Sequence, residues 1–574
     1  MRTARLQTLA WRVSMCVRLT AVLCCSRTAY RLDRLFSRAA TSTNRLINNN
    51  KMENIEEIES VNGQPEVLQE GKAKILIDKK NIFYNPVQEF NRDLSVAVLT
   101  QFSKDWTDKM NNDPKIVEKR GLRVLEALSA TGLRSIRYAK EVPGIDEIVA
   151  NDISVSAVEA IKKNVVFNQV DSIVKPHAND ATMVMYENRR NKFDVIDLDP
   201  YGCPSIFLDG AVQSIKDNGL LLVTATDMAV LAGNSPETCY VKYGAVSLKS
   251  KSCHEMALRI LLQHIASHAG RYGKVITPLL SVSADFYIRV FVKIHTSQKS
   301  CKQNTSNLGM VYQCTGCKTL NIQPLGIMPS ENSYKIPAAP VVDKHCEFCK
   351  YKHQMGGPLW TGKLHDKDFV HKILENIESE EENNIQSLGT IRRIHGMLYV
   401  IEEELEVPLY YQLDQLTSTI RGNVPPMSTF RSAILNAGHQ VSYSHANKYS
   451  IKTDAPNTVI WDIIRAWEKE NPVKREKFVE NSPGLAILET ETKINVSFEK
   501  HPNAVPQSQQ KKMTRFQLNP SAYWGPGTKS TTIVQDQRAQ SKREKNQNKN
   551  KRKRERNAKN DESMEEKKAN TSAE

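Results

Sequence analysis

Apolar and polar positions between residues 123 and 294 follow two alternating periods. Apolar runs at 123–128, 145–150, 173–176, 195–198 and 219–225 read as buried strands, while 133–140, 155–168 and 252–269 carry apolar residues at helical spacing. Two further runs, 274–282 and 286–294, close the series. Strand alternating with helix predicts an α/β fold built on a doubly wound, mostly parallel sheet. The first strand opens into the turn Ser129-Ala130-Thr131-Gly132, the second ends at Asn151-Asp152, and the third ends before Asn179-Asp180-Ala181-Thr182.

Beyond the sheet the elements are shorter. Residues 368–379 and 456–469 read as amphipathic helices, and 429–436 with 441–452 suggest a helix followed by a hairpin. This predicts a smaller α+β carboxy-terminal domain over 299–500 that resembles a winged helix. Arg392, Arg393, His395, Arg421, Arg431 and Lys448 are its candidate phosphate contacts, each of which could equally be solvated surface. From residue 501 onward Gln, Asn, Lys, Ser and Pro dominate, so a disordered basic tail is expected over 501–574, with an aromatic island at 521–526.

Composition changes this picture at the ends of the chain. The 574 residues carry a formal charge of +15, which suggests nucleic acid. Residues 1–51 hold nine Arg and one Lys against Asp33, and 542–559 hold ten Lys or Arg against Glu544 and Glu555. The body between them is therefore close to neutral, and any RNA-binding surface on it must be local. The first segment is Arg-rich and acid-poor, with Leu6, Leu9, Val13 and Val17 at helical spacing, which reads as a mitochondrial presequence. A secretory signal is the rival, but the apolar run from Leu19 to Cys25 is short and flanked by Arg. Met52 opens an acidic stretch and offers a second start, and residues 52–75 read as a linker before a catalytic domain over 76–298. A product beginning at Met52 would keep only the basic run 549–559, fit for nuclear import. No stretch approaches the roughly 18 apolar residues of a membrane span, and no obligate protein partner is evident.

Candidate chemistry concentrates at strand ends. The fourth strand runs into Asp197-Leu198-Asp199-Pro200-Tyr201-Gly202, which sets a carboxylate beside a ring at the edge where open α/β sheets bind ligands. A helix-capping Asp followed by a packed Tyr is the bland alternative. The turn after the first strand has one glycine, Gly132, too few for a pyrophosphate cradle, yet Asp152 lies 20 residues beyond it, where an acid commonly takes ribose hydroxyls. A nucleoside without a pyrophosphate suits that combination, and S-adenosylmethionine is such a ligand. Downstream, Cys314-Thr315-Gly316-Cys317 and Cys346-Glu347-Phe348-Cys349 form two CxxC pairs. Four thiolates in a chain without a disulfide-permissive context suit a closed structural zinc site, with redox pairs or unligated thiols as the alternatives. Cys203 has no paired base, and His254-Glu255 lacks the second His of a zinc protease motif.

Five ordered motifs carry a family resemblance. Phe83-Tyr84-Asn85-Pro86 with Asn91-Arg92-Asp93, residues 128–134, Asn179-Asp180-Ala181, residues 197–202, and residues 253–259 together resemble the tRNA guanine-26 N2-dimethyltransferase family, and the likeness runs to Pro456. The resemblance implies a class I methyltransferase fold acting on tRNA with S-adenosylmethionine. It implies that Arg92, Arg134, Asp152, Asp180 and Ala181 hold the methyl donor, and that Phe83, Asp199 and Tyr201 hold the target guanine. The chemistry asks for the same groups: a carboxylate to orient and deprotonate a weakly nucleophilic amino nitrogen, and rings to sandwich an extruded base. Two other classes stay open at this stage: a zinc-containing RNA-binding protein with a non-catalytic sheet, and a DNA amino-methyltransferase.

Overall fold

In the computed structural model, residues 66–77, 84–112, 120–331, 333–382 and 388–516 are described. The presequence, Met52, Phe83, the aromatic island and the basic run lie outside them. The chain opens with a hairpin of β1 (Glu66–Glu70) and β2 (Ala73–Ile77), followed by α1 (Glu89–Asn112). Next come β3 (Leu122–Glu126), α2 (Leu133–Glu141), β4 (Ile145–Asp152), α3 (Val155–Phe167), β5 (Val174–Ala178) and α4 (Ala181–Glu187). The sheet continues through β6 (Phe193–Leu198), α5 (Ser205–Ser214), β7 (Ile215–Ala225), α6 (Pro236–Tyr243), α7 (Cys253–Gly270), β8 (Lys274–Ala284) and β9 (Tyr287–Thr296).

Seven strands form one sheet in the order β5-β4-β3-β6-β7-β9-β8. The first five are parallel, and β9 pairs antiparallel with both β7 and β8. Side chains alternate between two cores, as a pleated strand requires. Val124, Val195 and Leu220 face one cluster with α1 and α2, whereas Leu125, Ile196 and Leu221 face the other with α5 and α7. Both faces of the central strands are covered, which is why β6 is buried at every position, its two aspartates included.

The carboxy-terminal region contributes β10 (Leu308–Cys314), β11 (Leu320–Pro324), β12 (Ile327–Ser330), β13 (Ser333–Lys335), β14 (His353–Trp360), α8 (Lys367–Glu382) and α9 (Ile391–Glu403). After these come β15 (Tyr411–Gln412), α10 (Leu413–Thr419), α11 (Met427–Asn436), β16 (Val441–Ser444), β17 (Asn447–Thr453) and α12 (Asn457–Glu470). From α9 to β17 the order is helix, strand, two helices and a hairpin, with a three-stranded sheet β15-β17-β16, as the winged-helix expectation requires. The edge of β8 is not left open. Ser281 and Ser283 donate their N–H groups to ring nitrogens of His365 and His445 at 3.3 and 3.2 Å, and Leu279 accepts from the Asp366 N–H at 3.0 Å. Among the described residues no helix is long and apolar enough to cross a membrane.

Three expectations are corrected. Residues 66–70, read as linker, form β1: Glu70 is buried and accepts from Arg92 and Arg137, partners that composition does not reveal. Residues 501–516, read as tail, dock on the carboxy-terminal helices. Ala504 accepts from Arg431 at 2.7 Å, Ser508 donates through N and Oγ to Glu403, and Arg515 lies over the Tyr443 ring. A few anchors suffice there, and polarity alone hides them. Of the phosphate-contact candidates, Arg431 is buried by these contacts, and Arg393 is taken up by Asp285 at 2.8 Å and stacks over Phe90.

Candidate active site

Asp199 leaves the end of β6 at the carboxyl edge of the sheet, and the loop that follows is pinned to β7. Gly202 donates its N–H to Thr226 Oγ1 at 2.7 Å and accepts from the Thr226 N–H at 3.0 Å. The carboxylate of Asp199 pairs with Nη2 of Arg134, on the first turn of α2. Arg134 is buried, and its Nη1 donates to Asn91 Oδ1 at 3.2 Å and Ser95 Oγ at 3.1 Å on α1. It therefore joins the two halves of the edge. Tyr201 follows at 54% exposure, and its phenol is raised by partial burial and by the carboxylates of Asp199 and Asp152.

On the donor side, Asp152 accepts from the N–H of Ala130 and of Ser154, each at 2.9 Å. A carboxylate has about four acceptor sites, so two stay available for the paired hydroxyls of a ribose. Gly132 stands at φ +75°, and a Cβ there would sit 3.0 Å from Ile161, which fixes glycine in a turn that passes close to α3. Asp180 caps α4 through Thr182 and Met183, and Ala181 is buried behind it. Ile153, 71% exposed, adds apolar surface beside Asp152, a feature the sequence reading missed although the residue follows that acid directly. These groups fit a nucleoside bearing a sulfonium: free carboxylate capacity at the ribose position, an apolar lip, and no phosphate cradle. Arg92 stands apart. It is buried against Glu70 through two hydrogen bonds, one of 2.6 Å from Nε, and also donates to the Asn85 carbonyl. Burial raises the Glu70 carboxyl, but Arg92 and Arg137 outweigh it and hold that group below its ordinary range.

Sequence reasoning also missed Glu126, at the end of β3. It accepts from the N–H and Oγ of Ser135 and lies 3.7 Å from Arg134. Burial pushes its carboxyl up to about 7, against the opposing pull of Arg134 and Ser135. The folded value exceeds the unfolded one, so the proton is held more tightly in the native state. Its stabilising contribution is complete below about pH 4.5 and is lost as pH rises through about 7, a change on the order of 3 kcal/mol. Glu126→Gln should therefore gain thermal stability over the wild type as pH goes from 5 to 8; melting curves that stay parallel across that range would contradict this.

Away from the sheet edge, the four CxxC sulfurs are all buried and lie within 4.8 Å of one another. Cys314 and Cys349 are 3.2 Å apart at sulfur, and Cys317 and Cys346 3.6 Å, close to the roughly 3.8 Å of neighbouring thiolates around tetrahedral zinc. Lys318 and Lys350, each directly after a pair, have φ of 65° and 64°, so both pairs turn in the same way. Gly316 leaves no room for a side chain, since a Cβ would meet Cys349 Sγ at 3.0 Å. This donor set fits zinc. A second cluster, His365, Glu404 and His445, does not. His445 donates through Nδ1 to Glu404 at 2.7 Å and accepts from Ser283 at Nε2, so neither nitrogen is free, and Lys452 already neutralises Glu404 at 2.8 Å.

Known proteins resemble this chain over most of its length. The family model described as N2,N2-dimethylguanosine tRNA methyltransferase matches residues 63–465. A Drosophila melanogaster protein named tRNA (guanine(26)-N(2))-dimethyltransferase is 48% identical over 517 residues, covering 83% of this chain and 89% of that one. The human protein of the same name is 46% identical, covering 81% and 77%. A Saccharomyces cerevisiae relative, named as the mitochondrial dimethyltransferase, is 37% identical over 81% and 92%. The solved complex of Trm1 from Pyrococcus horikoshii with S-adenosyl-L-methionine superposes with a TM-score of 0.59 at 32% identity, over 69% of this chain and 99% of that one.

Proposed function

The chain belongs to the N2,N2-dimethylguanosine tRNA methyltransferase family, and on that premise we propose that Asp199 is the carboxylate around which its reaction is organised. The enzyme methylates the exocyclic N2 of guanosine 26 in tRNA, using S-adenosylmethionine, to give the dimethylated base. A non-catalytic zinc-containing RNA-binding protein and a DNA methyltransferase are thereby set aside. The residue assignment is supported by Asp199, which leaves the end of β6 paired to the buried Arg134 with the exposed ring of Tyr201 two residues on, and by Asp152 at the end of β4, whose carboxylate keeps acceptor capacity. A guanine stacked on that ring would present its amino group to Asp199 while Asp152 holds the ribose of the donor.

S-adenosylmethionine supplies an electrophilic methyl group when bound. The amino nitrogen of guanine is a weak nucleophile because its lone pair is delocalised into the ring. Asp199 accepts a hydrogen bond from it, turns the nitrogen towards the methyl, and takes up the proton as the bond forms. Arg134, Asp152, Asp180 and Ala181 are proposed to make the donor side, with Arg92 contributing from its pair with Glu70, and most of the acceleration comes from alignment of the two sides. After one transfer the nitrogen keeps one hydrogen, so the same carboxylate can act again. Phe83 is the proposed second face of the base sandwich. Purified protein given unmodified tRNA and donor should yield N2,N2-dimethylguanosine at position 26 by nucleoside mass spectrometry; unmodified guanosine there would overturn the reading.

Cys314, Cys317, Cys346 and Cys349 are proposed to hold a structural zinc. Residues 1–51 are proposed to direct one product to mitochondria, and a product from Met52 to enter the nucleus through 549–559. The relative named mitochondrial supports the first half. With the carboxyl end tagged, Met1 and Met52 mutated separately should divide the signal between the two compartments. Mitochondrial signal that survives deletion of 1–51, or nuclear signal that survives loss of the basic run, defeats the corresponding half.

A further inference from the structure

Arg134 is surrounded by more negative charge than it can satisfy. Glu126 on β3, Asp197 on β6 and Asp199 beyond it all lie within 3.7 Å of its guanidinium. Asp197 sits deeper than Asp199, is fully buried, and is the better desolvated competitor for one cation. It nevertheless stands off at 3.6 Å from Nη1, while Nη2 goes to Asp199. The reason lies across the sheet. Arg289, on β9, donates to both carboxylate oxygens of Asp197 at 2.9 Å, and Tyr138 Oη, on α2, adds a third hydrogen bond at 2.7 Å. With three of its roughly four acceptor sites taken, two of them by a cation, Asp197 has little need of the Arg134 fork.

We propose that Arg289 is a positioning residue of the methyl-transfer centre: it satisfies Asp197, which leaves Arg134 to fix the carboxylate of Asp199. The chain of alternating charge runs Arg289, Asp197, Arg134, Asp199, and it spans 92 residues between its first two members. Arg289 has no exposed surface and cannot touch donor or guanine. Its Nη1 is held by Thr224 Oγ1 at 2.5 Å on β7, and its Nε has no hydrogen-bond partner among the described residues. A buried guanidinium with an unsatisfied Nε is a poor device for stabilising a sheet, whereas it suits an electrostatic task. The inference rests on the assignment of Asp199 as the catalytic carboxylate.

Other titratable groups face this chain. Burial holds the Glu126 carboxyl up to about 7, burial with Asp197 raises Tyr138, and burial with Asp285 raises Tyr287 on β9. Asp197 is lowered, because Arg289 and Arg134 outweigh its burial. Removing Arg289 should draw Arg134 towards Asp197, so that the carboxylate of Asp199 loses the cation that fixes it.

The test uses the full-length enzyme with Arg289→Met, Arg289→Lys and the milder Tyr138→Phe. Folding is followed by circular dichroism and melting, donor-site affinity by calorimetry with S-adenosylhomocysteine, and kcat by tRNA methylation across pH. Arg289→Met and Tyr138→Phe are expected to lower kcat about tenfold and to move the acid limb of its pH profile upward. Affinity for S-adenosylhomocysteine should fall by less than kcat does, since Arg134 is only one of the groups on the donor side. Arg289→Lys should recover part of the loss, since it restores a cation. Folded variants with unchanged kcat and acid limb would overturn the proposal, as would parallel loss of melting temperature and of product affinity, which marks a structural role. Full activity of Asp199→Asn would instead defeat the underlying assignment, whatever the Arg289 variants show.

Discussion

Asp199→Asn is expected to fold, to bind S-adenosylhomocysteine, and to methylate tRNA at least about 10²-fold more slowly than the wild type. The size of the effect follows from the contacts of the carboxylate. One oxygen pairs with Arg134, and on the proposed assignment the other receives the guanine amino group. Asn keeps the volume but has a single acceptor oxygen. Arg134, buried and rich in donors, claims that oxygen, which turns the amide nitrogen towards the substrate. Donor would then face donor at the reacting nitrogen, and the base is lost as well. Nucleoside mass spectrometry separates the two methylation steps, and near-normal accumulation of either product would sink the assignment.

Cys314→Ser should release the metal and destabilise the carboxy-terminal region by about 3 kcal/mol or more. The four cysteines belong to the same buried cluster as Leu416, Phe430, Ile451 and Trp461. Cys317 contacts Thr319 Oγ1 at 3.0 Å, and Trp461 donates to that same hydroxyl at 2.9 Å, so loss of the ion would loosen α12 along with the knuckles. Affinity for S-adenosylhomocysteine should hold within about twofold, because all four ligands lie outside the seven-stranded sheet. Metal analysis should give about one zinc per chain. A wild-type protein that purifies without zinc at full stability would remove the basis for the claim.

Much of the frame could be read from the residues. The apolar runs of β3, β4, β6 and β7 found their strands because a doubly covered sheet leaves few polar positions to confuse the period, and only the ends moved by a few residues. The CxxC spacing found the thiol cluster because each pair is a local turn. Asp152 and Asp199 were located because strand ends are marked by their own flanking residues. Glu70 was not, since a five-residue strand in an acidic, polar context has no periodic signal of its own.

The linear order of apolar and polar residues determined the strands, most of the helices, the cysteine knuckles and which acids reach the carboxyl edge, since each depends on a period or spacing of a few residues. Tertiary structure decided the partners of the buried charges that pair across long stretches of chain. It set Arg92 on Glu70, Arg393 on Asp285 and Arg289 on Asp197, pairs separated by 22, 108 and 92 residues. A guanidinium binds whichever carboxylate the fold brings within about 3 Å, and that distance depends on register between strands and on how helices cross. One Arg looks like another along the chain, so the charge order that prepares Asp199 came into being only when β9 was laid beside β7 and α2 against β6.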